Sequence, residues 1–198
     1  MPIELELTIA GLVYNQNMAG TYGLVLTEIH GNRRFSVMIG ESEAQSIAMK
    51  LNNKRPPRPL THDLINNILL SLQAKLEKIL IYNMVNDVFY SELHILQNNE
   101  TKLILDARTS DAVALAVRCN APIYISADIL QIVGTEVEST AKPNDFETNL
   151  DVNAEEMTNE EMDMLSISNL NELLRIAIEE EKYELAARIR DVISLKSA

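Results

Sequence analysis

No tryptophan occurs in the 198 residues, phenylalanine is held to three and cysteine to one. The lone Cys119 excludes an intramolecular disulfide and any cysteine-rich zinc site. Its place at the end of an apolar run predicts a packed thiol rather than a reactive one. So few aromatic rings leave no basic-aromatic platform of the RNA-recognition type. The Walker loop, G-x-G-x-x-G, G-x-S-x-G and H-E-x-x-H patterns are all missing, which argues against a dedicated nucleotide-phosphate loop. No apolar run reaches the roughly 18 residues that a membrane span needs. MPIELELTIAGL lacks the basic region and long apolar stretch of a signal peptide. A cytoplasmic location without membrane association is therefore expected.

Positive charge is scarce as well: 17 basic side chains stand against 29 acidic ones, a net of −12. The deficit is local. Residues 1–134 hold 13 acidic and 11 basic side chains, residues 135–166 hold 10 and one, and residues 167–198 hold six and five. The main body of the chain is nearly neutral, so its acidity does not bar an anionic partner from a local basic patch. With 46% apolar residues the first 134 are enough for an unstapled core. Three regions are expected: a domain over 1–134, an acidic flexible linker over 135–166, and a helical hairpin over 167–198.

Ile3, Leu5, Leu7 and Ile9 alternate with polar or small residues, the period of a half-buried strand. TYGLVLTEI (21–29) and RFSVMI (34–39) flank a turn at His30–Arg33. Helix spacing runs over Glu41–Leu51 and over Thr61–Gln73, the second with Leu64, Ile65, Ile68, Leu69 and Leu72 predicted to be buried. Strands follow near 76–83, 88–96 and 101–106, then a helix over Ser110–Arg118. Ala121–Ser126 reads as a short edge strand, because Pro122 cannot donate to an inner ladder. A last short helix runs from Asp128 to Val133. Hairpin-linked strands with interspersed helices imply an α+β fold, with a mixed, largely antiparallel sheet and helices packed on it. Thr158-x-x-Glu161 predicts a capping box and a short helix through Leu165. Leu170, Leu173, Leu174, Ala177 and Ile178, then Leu185, Ala186, Ile189, Val192 and Ile193, mark the C-terminal hairpin. At roughly thirty residues it is too small to stand alone, so its apolar stripe should dock on something.

Three polar clusters fall at junctions that lead into helices: Glu41 and Glu43; Arg55, Arg58, His62 and Asp63; and Asp106, Arg108 and Asp111. Such junctions let side chains converge on a rigid frame. Carboxylates suit a hard divalent cation, arginines suit phosphate, and a histidine can carry a proton near neutral pH. Together they suit metal-assisted phosphodiester hydrolysis. Each residue also has a purely structural use. Thr61 is a natural N-cap with Asp63 complementing the dipole, Ser110 and Asp111 suit the same parts in the third helix, and Asp106 can pair with Arg108 or Arg118.

Met38-Ile39-Gly40-Glu41-Ser42-Glu43-Ala44-Gln45-Ser46-Ile47-Ala48, Arg58-Pro59-Leu60-Thr61-His62-Asp63-Leu64 and Asp106-Ala107-Arg108-Thr109-Ser110-Asp111-Ala112-Val113-Ala114-Leu115-Ala116 resemble, in order, the three signature blocks of the bifunctional nuclease domain family. Thr109 departs from the proline usual there. The resemblance, over roughly residues 3–134, implies an α+β domain, usually a homodimer, with DNase and RNase activity as in plant members. Carried onto this chain, it gives His62, Asp63, Asp106 and Asp111 as catalytic candidates. Arg55, Arg58 and Arg108 become substrate-binding candidates, and Glu43, Asp106 and Asp111 candidate ligands of Mg²⁺ or Mn²⁺. Glu184-Leu185-Ala186-Ala187-Arg188-Ile189-Arg190-Asp191 and the residues before it resemble the UVR motif of UvrB, UvrC and some Clp adaptors. That implies a protein partner through 167–198. The pairing of domain and tail is similar to bifunctional nuclease proteins of Bacteroidetes. Two functions therefore stand side by side: a metal-dependent nuclease, and a non-catalytic dimeric adaptor whose tail recruits a partner.

Overall fold

A computed structural model describes residues 3–15, 18, 20–98, 100–136, 162, 165, 167–179 and 182–197. Its strands are β1 Glu4–Tyr14, β2 Thr21–Glu28, β3 Arg33–Gly40, β4 Ala74–Val85, β5 Val88–Gln97, β6 Thr101–Arg108, β7 Ile123–Ser126 and β8 Thr135–Glu136. Its helices are α1 Glu41–Leu51, α2 Thr61–Ser71, α3 Thr109–Cys119, α4 Ala127–Val133, α5 Ile167–Glu179 and α6 Tyr183–Ser197. The eight strands form one sheet in the order β6-β5-β4-β7-β1-β2-β3-β8. Every pairing is antiparallel except β4 with β7. The fold is α+β, as the alternating and helical periods imply.

The sheet curls. Phe35 on β3 and Phe89 on β5 lie five strands apart in sheet order, yet their ring centroids are 5.5 Å apart. Inside the curl sits α3, with eight of its eleven residues buried, including the unbroken run Ala112–Ala116. Small side chains on every face let sheet and helices close around it. Ala44, Ile47 and Ala48 of α1 join the same core. Asn120 ends α3 in the left-handed region at φ 51°, and Ala121 donates back to the Ala116 carbonyl at 3.0 Å.

Three expectations give way here. β7 is an inner strand between β4 and β1, and not an edge. Pro122 lies just ahead of β7 and only accepts, from the Ile79 N–H at 3.1 Å, so its missing donor costs the ladder nothing. The apolar stripe of α2 is not buried in the chain: Leu64, Ile65, Ile68 and Leu72 are exposed. α2 instead turns inward His62, Asn66 and Leu69, at i, i+4 and i+7, a mixed polar stripe that meets α3. Thr135 and Glu136, placed in the expected linker, pair with Arg34 and Arg33 as β8, and residues 137–161 lie outside the described residues. The predicted capping box at Thr158 lies outside the described residues.

Met162, Leu165, Leu170, Leu173, Ala177, Leu185, Ala186, Ile189 and Val192 form a second buried cluster, against which Tyr14 of β1 also packs. Ile178, predicted to face inward, is 52% exposed.

Candidate functional site

The three signature blocks come together because α1, α2 and α3 bring their N-termini to one place. Glu43, Asp63 and Asp111 each occupy the third position of their helix, where the positive end of the helix dipole favours a carboxylate. Gly40 makes room for the first of them. A Cβ there would lie 2.7 Å from Glu43 Oε2, so a larger residue would push aside the flexible end of the Glu43 side chain.

His62 is the hub. It is 7% exposed, with Nδ1 2.9 Å from Ser46 Oγ and Nε2 3.0 Å from Asp111 Oδ1. Burial alone pushes the Asp111 carboxyl up, but hydrogen bonds from Arg108 and His62 and their charges outweigh it and hold the group below its usual range. An ionised carboxylate only accepts, so the His62 Nε2 carries a proton in this contact. Ser46, His62 and Asp111 have the order of a Ser-His-Asp triad, but Ser46 is 3% exposed and no substrate reaches its hydroxyl. Ser46 orients the ring and is not a nucleophile.

Arg108 carries the network to solvent. Its side chain is 69% exposed. Nε donates to Asp111 Oδ2 at 2.7 Å, and Nη2 reaches both Glu43 Oε1 at 2.8 Å and Asp111 Oδ1 at 3.1 Å. Burial pushes Glu43 up, yet its own backbone N–H, Ser42 and Arg108 bring it below the ordinary carboxylate range. The Arg108 Nη1 makes no hydrogen bond within the described residues, so two N–H groups point away from the carboxylates.

Asp63 has a different task. It accepts from the Leu60 N–H at 2.9 Å and from Arg118 Nε at 2.6 Å. The Arg118 side chain is 4% exposed and also donates to the carbonyls of Ala114 at 2.8 Å and Ser46 at 3.2 Å. This ion pair ties α2 to α3 and α1. The helix begins one residue earlier than a Thr61 cap requires: Leu60 is the N-cap, Thr61 opens the helix, and Asp63 does the capping. α3 likewise starts at Thr109 with Arg108 as its N-cap, which leaves Ser110 inside the first turn. Thr109, where the family favours proline, is 3% exposed and its hydroxyl lies 2.7 Å from Ser91 Oγ. A side-chain bond to β5 takes the place of the ring's fixed backbone.

Asp106 stands apart from this network. On exposed β6 it faces Glu92 across the strand pair, and Tyr82 donates to it at 3.4 Å. It pairs with neither Arg108 nor Arg118, whose bonds go to Asp111, Glu43 and Asp63. Among the described residues no three His, Cys, Asp or Glu side chains gather as a metal-binding group. Glu43, Asp106 and Asp111 are therefore not assembled as a ligand set, and a guanidinium lies between the two that do approach. Arg55 and Arg58 are exposed on the proline-rich loop entering α2. Cys119 is half-buried with Sγ 3.2 Å from Asn66 Oδ1, and burial pushes its thiol up, as a packed cysteine should be.

Three residues outside the candidate set prove central: Ser46, Gly40 and Arg118. Ser46 gave the clearest signal, a hydroxyl on the apolar face of α1 one turn after Glu43. Arg118 was visible only as a charge within the apolar pattern of α3.

The three helix entrances thus share one network of a buried imidazole, two carboxylates and an exposed guanidinium, held inside a curled α+β sheet. This chain belongs to the bifunctional nuclease domain family, which matches residues 24–138. Residues 165–197 match the UvrB/uvrC motif. An uncharacterized protein of Mycobacterium tuberculosis is 38% identical over 111 residues, 56% of this chain and 65% of that protein. Bifunctional nuclease 1 of Oryza sativa subsp. indica and a bifunctional nuclease of Oryza minuta are each 27% identical over 164 residues, 78% of this chain and 48% of theirs. The chain thus spans less than two thirds of the length of these relatives. No helix among the described residues is long and apolar enough to cross a membrane.

Proposed function

We propose that this chain is a nuclease of the cytoplasm that hydrolyses phosphodiester bonds of DNA, RNA or both. The observation that carries the reading is the single network joining Glu43, Ser46, His62, Arg108 and Asp111 across three sequence-distant blocks, with only Arg108 and Asp111 open to solvent. Arg108 holds the phosphate through its outward N–H groups, with Arg58 and Arg55 on the adjoining loop as further contacts. Asp111, ionised at neutral pH, takes the proton of a water whose oxygen bonds to phosphorus, while the leaving oxygen departs with its electron pair and is protonated from solvent. His62 holds Asp111 in place through Nε2, and Glu43 tethers Arg108. A requirement for Mg²⁺ or Mn²⁺ would need the carboxylates Glu43 and Asp111 to exchange their guanidinium for a cation, with Asp106 elsewhere. Among the described residues the side chains present do not fit such a cation.

The test is degradation of labelled single-stranded DNA and RNA by purified protein, with Mg²⁺ or Mn²⁺ and separately with EDTA. Asp111→Asn and His62→Ala should each lower the rate by about 100-fold or more, the usual weight of a positioned base. Folded variants that retain full activity would assign the cleavage to another site or to a contaminant.

A second reading is favoured by the tail. Ile178, Tyr183 and Leu195 stay 52%, 67% and 80% exposed although the hairpin has its own buried cluster. These exposed apolar side chains, on a segment matching the UvrB/uvrC motif, support a protein partner bound through 167–198.

A further inference from the structure

β6 ends the sheet, and its outer edge pairs with no described strand along all eight residues, Thr101–Arg108. Such an edge is normally blunted by proline, a bulge or shortness. β6 has no proline, and its pairing with β5 runs without a shift in register. The core itself runs out to this edge. Leu103 and Leu105 lie opposite Ile95 and Leu93 of the core cluster, yet they are 39% and 48% exposed. On the other face Ile104, 58% exposed, stands between Lys102 and Asp106. Neither of those charges has an ionic partner among the described residues, and Asp106 receives only the Tyr82 hydroxyl. The edge is also its own complement. Read outward from Ile104 in both directions, leucine answers leucine, Lys102 answers Asp106, Thr101 answers Ala107 and Glu100 answers Arg108.

We propose that two copies of this chain join along β6, antiparallel, about a two-fold axis beside Ile104 and normal to the sheet. The sheet then continues from one copy into the other, and an isologous contact of this kind closes on itself. Leu103 and Leu105 of each copy cover Leu105 and Leu103 of the other, and Lys102 faces Asp106 at two symmetry-related places. Opposed apolar and opposite-charge pairs are what hold neighbouring strands together. An axis normal to the sheet keeps every residue on its own face, so only few registers compete. Moving the axis to Leu103 sets Glu100 against Asp106, and moving it to Leu105 sets Lys102 against Arg108. Both place like charges opposite each other, and only the axis at Ile104 matches every charge. Asp106 thus stays outside the junction network because it faces another chain. In the same register the second copy's Glu100 falls opposite Arg108, so each candidate site borders the seam.

Sedimentation equilibrium of the full chain over a range of concentrations should give twice the mass of one chain. Lys102→Glu sets two carboxylates against each other on both sides of the axis and should weaken the dimer about tenfold or more. Asp106→Lys, which opposes two ammonium groups, should do the same. Both changes in one chain restore opposite charges, and the dimer should return to near wild-type strength. That recovery reports the register, because damage to the strand itself would deepen with a second substitution. A wild type that stays a monomer overturns the proposal. A dimer that ignores both single changes also overturns it and places the second copy elsewhere on the surface. A double variant as weak as the single ones overturns the register. The readout needs no cleavage: a dimer of this pattern that degrades nothing keeps the interface and loses the hydrolysis.

Discussion

Replacing Asp63 by alanine separates a structural carboxylate from a catalytic one. The wild-type Asp63 holds Arg118 Nε at 2.6 Å, and the guanidinium side chain is 4% exposed. Breaking a buried ion pair from one side costs about 3–5 kcal/mol. The Ala114 and Ser46 carbonyls still accept from Arg118, and Asp63 itself is 29% exposed, so the low end applies, about 3 kcal/mol. Losing the acceptor for the Leu60 N–H adds roughly 1 kcal/mol. The sum corresponds to a fall in melting temperature of about 10 °C for a domain of this size. Calorimetry and urea denaturation of the full chain measure it. Adding Arg118→Met should recover much of the loss, because the stranded charge goes with its partner.

The same pair sets a pH dependence. Burial pushes the Asp63 carboxyl up, but the Leu60 N–H and Arg118 pull it down further, so its folded value lies below the ordinary one. Its stabilisation is complete above the unfolded value, near pH 3.9, and is lost as pH falls through the folded value. The gap between wild type and Asp63→Ala should therefore hold at neutral pH and close in strong acid. An unchanged melting temperature combined with loss of nuclease activity would refute the reasoning and return Asp63 to the chemistry.

Two further expectations concern surfaces. The exposed α2 residues Leu64, Ile65, Ile68 and Leu72, and Leu103, Ile104 and Leu105 on edge strand β6, support a homodimer. Ile68→Asp with Ile104→Asp should each cost a monomer less than about 0.5 kcal/mol yet halve the mass seen by sedimentation; a wild type that sediments as a monomer removes the proposal. Deleting residues 167–198 should abolish capture of a protein partner while leaving nuclease rates within about twofold, since the hairpin has its own buried cluster. Equal capture by the truncated chain would count against a role for the tail.

Most elements were legible in the sequence because their periods are local. α1 is found over Glu41–Leu51 as its spacing predicts, and β2 and β3 flank the expected turn. The junction blocks were legible as candidates too, since glycine, arginine and carboxylates at helix entrances have few local uses. What was not legible was which face each element turns inward. α2 carries a clean apolar stripe, yet it turns the buried His62 and the half-buried Asn66 inward because α3 offers Asp111 and Cys119 there. Asp106 and Asp111 are five residues apart and part ways because one sits on an exposed edge strand and the other in the first turn of a buried helix.

By itself, then, the order of residues determined the α+β class, the element boundaries to within a few positions, and the three polar entrances, all short-range consequences of backbone propensity and side-chain period. Only the tertiary structure decided that those entrances meet, that Ser46 and Gly40 belong to the site and Asp106 does not, and that the curl of the sheet opens a groove beside Arg108. Hydrogen bonds between residues 16 to 65 positions apart depend on how helices pack around α3, and no local pattern encodes that distance.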